Sequence, residues 1–134
     1  MRSRVASAVF PERPGVYIVY REGADRPLYV GVAATQTLNK RWRRQHLRPR
    51  AGGSALRRSL GLYLGLVERK LKNSDGRYYP PDVEAAITDF LISCEVELIS
   101  ASSPDAADDL EVEVRGRLFP ELNISRARRR RRPA

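Results

Sequence analysis

Gly15-Val16-Tyr17-Ile18-Val19-Tyr20 and Leu28-Tyr29-Val30-Gly31-Val32-Ala33 decide the fold of this chain. Both runs are rich in β-branched and aromatic residues, which suit a pleated, half-buried surface. Arg21 to Pro27 lies between them, and its Gly23, Asp25 and Pro27 read as a turn. Two strands this close in sequence pair as an antiparallel hairpin. Upstream, residues 1–14 read as a lead-in closed by Pro11 and Pro14.

Downstream the period changes. Ala34 to Thr37 is a small-residue connection, and Thr37 or Asn39 caps a helix predicted to run to about Leu47, with Leu38 and Trp42 on its apolar side. Ser54 caps a second helix, predicted over about Ala55 to Leu71 from the spacing of Leu56, Leu60, Tyr63 or Leu64, and Val67. A loop over residues 73–81 leads to a third helix, from Asp82 or its neighbours to about Ile92. Cys94 to Ile99 alternates and reads as a third strand beside the hairpin. Ser103-Pro104 opens a last helix, with Ala107, Leu110, Val114 and Leu118 on one face and Pro120 as its stop. Leu110 to Val114 also alternates as a strand would, but the capping signal and the longer spacing favour a helix. The expected fold is α+β, a three-stranded antiparallel sheet flanked by helices. Residues 1–125 form the domain, and 126–134 form a disordered basic tail without apolar residues.

The chain has 134 residues, one domain's worth, and carries a net charge of +9. Arg126 and Arg128 to Arg132 hold six of those positive charges. Six bases and no acid lie between Lys40 and Arg50, whereas eleven acids and two bases lie between Asp82 and Glu121. A basic first half and a basic tail imply a polyanionic partner, nucleic acid first (DNA, with RNA not excluded) and an anionic membrane second. A membrane surface fits poorly, because no amphipathic apolar segment accompanies the tail. No apolar run approaches the length of a spanning helix. The stretch Val5 to Phe10 is too short for a secretory core, so a cytoplasmic location is expected. One cysteine, Cys94, and one histidine, His46, exclude an intrachain disulfide and the usual Cys/His zinc site. The sequence leaves the oligomeric state open.

Gly15-Val16-Tyr17 and Tyr29-Val30-Gly31 resemble the two half-motifs of the GIY-YIG nuclease family. More of that family's pattern follows in order. An arginine on the next helix is matched by Arg41, ten residues beyond Gly31 and two more than the family spacing. A helical glutamate, then a proline nine and an asparagine twelve residues later, are matched by Glu111, Pro120 and Asn123. That register selects Glu111 over Glu113. Gly53-Ser54-Ala55-Leu56-Arg57-Arg58 is also similar to a segment of small bacterial members. Two departures stand out. Val32 replaces a lysine found in some members, and Gln45 occupies a position often held by His or Tyr. At about 100° per residue, Gln45 falls about 40° from Arg41, but His46 falls about 140° away. The resemblance implies His46 and Gln45 only as supporting residues.

The same resemblance implies a metal-dependent endonuclease. Hydrolysis of a phosphodiester needs a deprotonated nucleophile, stabilisation of the phosphate's growing charge, and a cation or proton for the leaving oxygen. Tyr17 and Tyr29 are the implied catalytic pair, one of them positioning or deprotonating water. A phenol of ordinary pKa ~10 is a poor base, so nearby cationic charge is expected to lower it. Arg41 can fork two N–H donors onto a phosphate. Glu111 is the implied ligand of a single Mg²⁺ or Mn²⁺, which keeps most of its waters. Gly15 and Gly31 allow close approach, and Asn123 ties the chain end near the site. Lys40, Arg43, Arg44, Arg48, Arg57 and Arg58 are candidate phosphate contacts. Trp42 and Cys94 read as core. The alternative is a non-catalytic nucleic-acid-binding module with a vestigial site, suggested by Val32, the longer loop and Gln45.

Overall fold

The computed structural model describes residues 1–72 and 78–122. β1 is Ser3–Arg4, β2 Gly15–Tyr20, β3 Tyr29–Ala33, α1 Leu38–Arg41, α2 Ala55–Tyr63, α3 Pro81–Ser93, β4 Glu95–Ser100 and α4 Pro104–Leu118. The architecture is α+β, and the sheet is antiparallel throughout in the order β1-β4-β2-β3. The three expected strands are present. The fourth, β1, was read as lead-in because two exposed residues carry no alternation. Side chains flank that pairing: Arg2 bonds Glu95, and Arg4 bonds Glu22 at 2.7 Å.

All six residues of β2 are buried, because both faces of the sheet are covered. Tyr17 and Val19 face a core shared with Leu38, Trp42, Leu56, Leu60, Ile87 and Leu91 from the helices. Val16, Ile18, Tyr20 and Val30 face the other way, onto Val114 and the partly buried Leu110 and Leu118 of α4. Leu110 to Val114 is therefore helix. Ser103 Oγ caps it by accepting from Ala106 N at 3.1 Å.

Two helix ends differ from the periodicity. The second helix stops at Tyr63 instead of Leu71. Gly65 adopts φ +72°, its N–H bonds Leu62 O at 3.0 Å, and the Leu66 N–H bonds Gly61 O at 3.0 Å. That pair of bonds is a Schellman cap, which ends a helix at a left-handed glycine. The first helix is capped by Thr37, whose hydroxyl accepts from Lys40 N at 3.0 Å, but it stays α-helical for only four residues. From Trp42 to His46 it widens into a π turn, closed by the Leu47 N–H on Trp42 O at 2.9 Å. Asn123 and the arginine segment 126–134 lie outside the described residues.

Candidate active site

The hairpin register sets the site. Tyr17 pairs across from Gly31, and Val19 pairs across from Tyr29. The two tyrosines thus share one face, two residues apart along the ladder, with ring centroids 6.3 Å apart and planes 28° from parallel. Tyr17 lays its ring over Gly31, where a Cβ would overlap its hydroxyl oxygen and ring edge. At Gly15 a Cβ would meet the Ile99 carbonyl oxygen and lie 2.7 Å from Leu38 Cδ1. Both glycines are therefore required by close approach.

Arg41 sits at the end of α1 and directs Nε to Tyr17 Oη at 3.4 Å. Its Nη1 donates to Gln45 Oε1, one α-helical turn on. Gln45 is also reached by Gln36 Nε2 at 3.4 Å, so the longer connection after β3 closes onto the arginine. His46 departs from the sequence expectation. An i→i+5 turn holds one more residue than an α turn, so the side chain five positions after Arg41 returns to its side. His46 Nε2 lies 2.5 Å from Tyr17 Oη, and the imidazole is fully buried. Trp42 packs edge-on against both rings, 5.4 Å from Tyr17 and 5.0 Å from His46.

Beneath the imidazole is a polar network absent from the sequence reading. His46 Nδ1 lies 2.6 Å from Ser54 Oγ, which also accepts from Arg57 N at 3.1 Å. Arg57 is fully buried and was expected to contact phosphate. It has no donor to spare for one. Nη1 donates to His46 O and Thr88 Oγ1, both at 2.9 Å, while Nη2 and Nε donate to Glu84. Glu84 lies 27 residues away on α3 and is itself buried. No local pattern announces such a pair.

Glu111 is 4% exposed, whereas Glu113 is exposed. Arg115 Nη1 donates to Glu111 Oε2 at 3.2 Å. The Glu111 charge reaches both tyrosines, raising the pKa of each. Burial is the largest influence on both phenols and pushes both above their ordinary value. For Tyr17 the neighbouring Tyr29 adds to the rise, and Arg41 opposes it by charge and hydrogen bond. The Arg41 charge lowers both phenols in the expected direction, but burial outweighs it. Burial drives His46 well below the usual imidazole range, helped by the Arg41 and Arg57 charges, so the ring is neutral near pH 7.

Tyr17 is buried and Tyr29 half-buried on one face of the hairpin, Arg41 and His46 meet the Tyr17 oxygen, and the Glu111 carboxylate is buried on α4. The sequence pattern of the GIY-YIG catalytic domain matches residues 15–132. This chain belongs to the GIY-YIG family. No curated protein matches it in sequence.

In this GIY-YIG domain the other basic candidates divide by exposure. Lys40, Arg43, Arg44 and Arg48 are exposed on the arginine helix and the segment after it. Arg58 is half-buried, donates to Gly52 O at 2.9 Å, and its charge acts on Tyr29 and Arg41. Val32, in place of the lysine, packs against the apolar cluster on the α4 side of the sheet. Cys94 is buried core, its thiol pushed up to about 12 by desolvation. Among the described residues, no cluster of three His, Cys, Asp or Glu side chains forms a metal cage, and no helix is long and apolar enough to cross a membrane.

Proposed function

We propose that this GIY-YIG domain is a metal-dependent DNA endonuclease that hydrolyses phosphodiester bonds. The observation that carries the reading is Tyr17 Oη, which is met by Arg41 Nε at 3.4 Å and by His46 Nε2 at 2.5 Å. A buried polar atom needs at least one partner, and this phenol oxygen has two, one of them a guanidinium suited to a phosphate.

Each residue has a separate task. Tyr17 holds the attacking water through its oxygen, and Tyr29 flanks the same face. Arg41, clamped by Gln45, presents its guanidinium to the phosphate, where it opposes the negative charge that grows during attack. Glu111 suits one Mg²⁺ or Mn²⁺, because a hard oxygen donor outside any ligand cluster of the described residues matches the ion's habit of keeping its waters. When bound there, the cation supplies positive charge for the phosphate and the leaving oxygen. Lys40, Arg43, Arg44 and Arg48 hold the DNA backbone, and the arginine segment 126–134 adds a tether without sequence preference.

Incubation of the full chain with supercoiled plasmid and with branched DNA, with and without Mg²⁺ or Mn²⁺, tests the reading. Nicked or linear product that requires the metal supports it. Retarded but intact DNA at all metal concentrations favours the non-catalytic binding module instead.

A further inference from the structure

Ser54 has no role in the reading above, yet it decides what His46 can do. A neutral imidazole carries one N–H and one lone pair, and the partner of one nitrogen sets the state of the other. The Ser54 hydroxyl has one proton to give and two lone pairs. One lone pair accepts the Arg57 N–H at 3.1 Å, which caps α2. Ser54 is fully buried, and buried hydroxyl protons are normally donated. Among the described residues, the other recorded partner of this oxygen is His46 Nδ1 at 2.6 Å. The proton has an acceptor there only if Nδ1 is bare. A protonated Nδ1 would crowd two N–H donors onto Ser54 Oγ and leave its own proton without a protein acceptor.

We infer that Ser54 is a positioning residue for the nuclease site, donating to His46 Nδ1 and so holding the imidazole with its proton on Nε2, aimed at Tyr17 Oη. The inference rests on the nuclease reading of Tyr17. Its consequence is that Tyr17 Oη receives two N–H donors, one from His46 and one from Arg41. Two donors turn the phenol's own proton away from the imidazole and toward the water that Tyr17 holds in the nuclease reading, an acceptor that the Ser54 proton lacks, and they stabilise the phenolate once that proton leaves. His46 then acts as a donor to Tyr17 and not as a base for it, because Nε2 already carries its proton. The surroundings hold this arrangement at both ends. Arg57 Nη1 ties the His46 carbonyl at 2.9 Å while Ser54 ties the ring, and Glu84 and Thr88 fix Arg57 in turn. The segment Gly53 to Arg58 is thereby a frame for one imidazole.

His46 is the chain's one histidine, so its ring nitrogens can be read without assignment. The experiment is a long-range ¹H–¹⁵N correlation on the full chain labelled in histidine, recorded without DNA or metal and above the ordinary imidazole pKa. Nε2 should appear as the protonated, pyrrole-type nitrogen and Nδ1 as the bare, pyridine-type one. The opposite pattern in the native chain overturns the inference. Ser54→Thr keeps the hydroxyl and the cap and should keep the pattern and the cleavage rate. Ser54→Ala should lose the fixed pattern and lower single-turnover cleavage by about 10–100-fold, the usual loss for an outer partner of a site residue. A folded Ser54→Ala chain with the native pattern and native rate also overturns it. If the alanine variant does not fold, the native and threonine spectra decide. Because the spectrum needs no substrate, a chain that cuts no DNA defeats the nuclease reading by itself and leaves the tautomer measurable.

Discussion

Tyr17 Oη and His46 Nε2 lie 2.5 Å apart although 29 residues separate them, and a π turn brings them together. An α-helix of the same sequence would turn His46 away from Arg41 and from the hairpin face that carries Tyr17. The wider turn has a local cause in packing. Trp42 is fully buried, stacked on Phe10 at 5.2 Å and edge-on to Tyr17, so the chain after it accommodates the indole while bringing the imidazole inward. One irregular turn thus joins the arginine, the tyrosine and the histidine into one site.

The two tyrosines are separable by substitution. Tyr17→Phe and Tyr29→Phe each remove a hydroxyl and keep a ring, so folding should survive in both. Tyr17→Phe should abolish cleavage, because Arg41 and His46 both meet that oxygen. In the native chain the single-turnover rate should rise with pH, since burial holds the phenol protonated near neutrality. A fully active Tyr17→Phe chain would remove the phenol from the mechanism.

Arg41→Ala should lower single-turnover cleavage by about 10²–10³, the loss typical of one preorganised contact to a developing charge. Arg43→Ala is the control, because Arg43 is exposed two residues along the same helix. It should weaken binding and leave the chemical step nearly intact. Equal losses in the two variants would mean that this helix is only a basic patch.

Glu111→Gln should remove metal-dependent cleavage, by about 100-fold or more, while DNA binding persists. Glu113→Gln, at an exposed position, should cleave normally. The amide also leaves the Arg115 charge without its carboxylate, so thermal unfolding should be measured on the same preparation. A Glu111→Gln chain that folds and cleaves at the native rate would take Glu111 out of the site.

The hairpin was legible because two β-branched and aromatic runs around a turn are local signals. Its register, with Tyr17 opposite Gly31 and Tyr29 opposite Val19, is read from the structure. Glu111 was singled out through its spacing to Pro120, and the structure buries it on α4. What stayed hidden depends on tertiary packing. A helical wheel assumes a fixed turn, so it displaced His46. Leu64 is the last cap residue of α2 and Val67 lies beyond Gly65, yet both pack on the core and continue the apolar spacing. Arg57 reads as one more base in a basic stretch, and only the fold brings Glu84 to it. Arg41 acts on the phenols in the expected direction, but desolvation in a core position outweighs that guanidinium.

Gly31→Ala tests the close approach directly. The added methyl would overlap the hydroxyl and ring edge of Tyr17, a fully buried ring that cannot swing aside. Overpacking of this kind costs roughly 1–3 kcal/mol. The variant should lose that stability in urea unfolding and also lose cleavage, because Tyr17 Oη is displaced from Arg41 and His46. Gly53→Ala meets no atom within 4 Å and should be near neutral in stability. Equal stability of the two variants would show that the strand gives way without cost.

His46 should make stability depend on pH in a defined window. Its folded pKa is depressed well below the ordinary value of 6.5 by burial and by Arg41 and Arg57. Above about 6.5 the ring is neutral in both folded and unfolded chains, and it adds no pH dependence. As pH falls below that, the unfolded chain takes up a proton that the folded chain resists, so unfolding is favoured. The loss approaches about 1.4 kcal/mol per pH unit until the folded pKa is reached. Between pH of about 6.5 and 5, above the usual carboxylate range, this contribution is well separated from acid titration. The urea midpoint of the native chain should therefore fall across that interval. His46→Gln, if less stable at neutral pH, should show a much flatter profile there. Parallel profiles for the two chains would mean that the imidazole gains a proton without leaving its place between Tyr17 and Ser54.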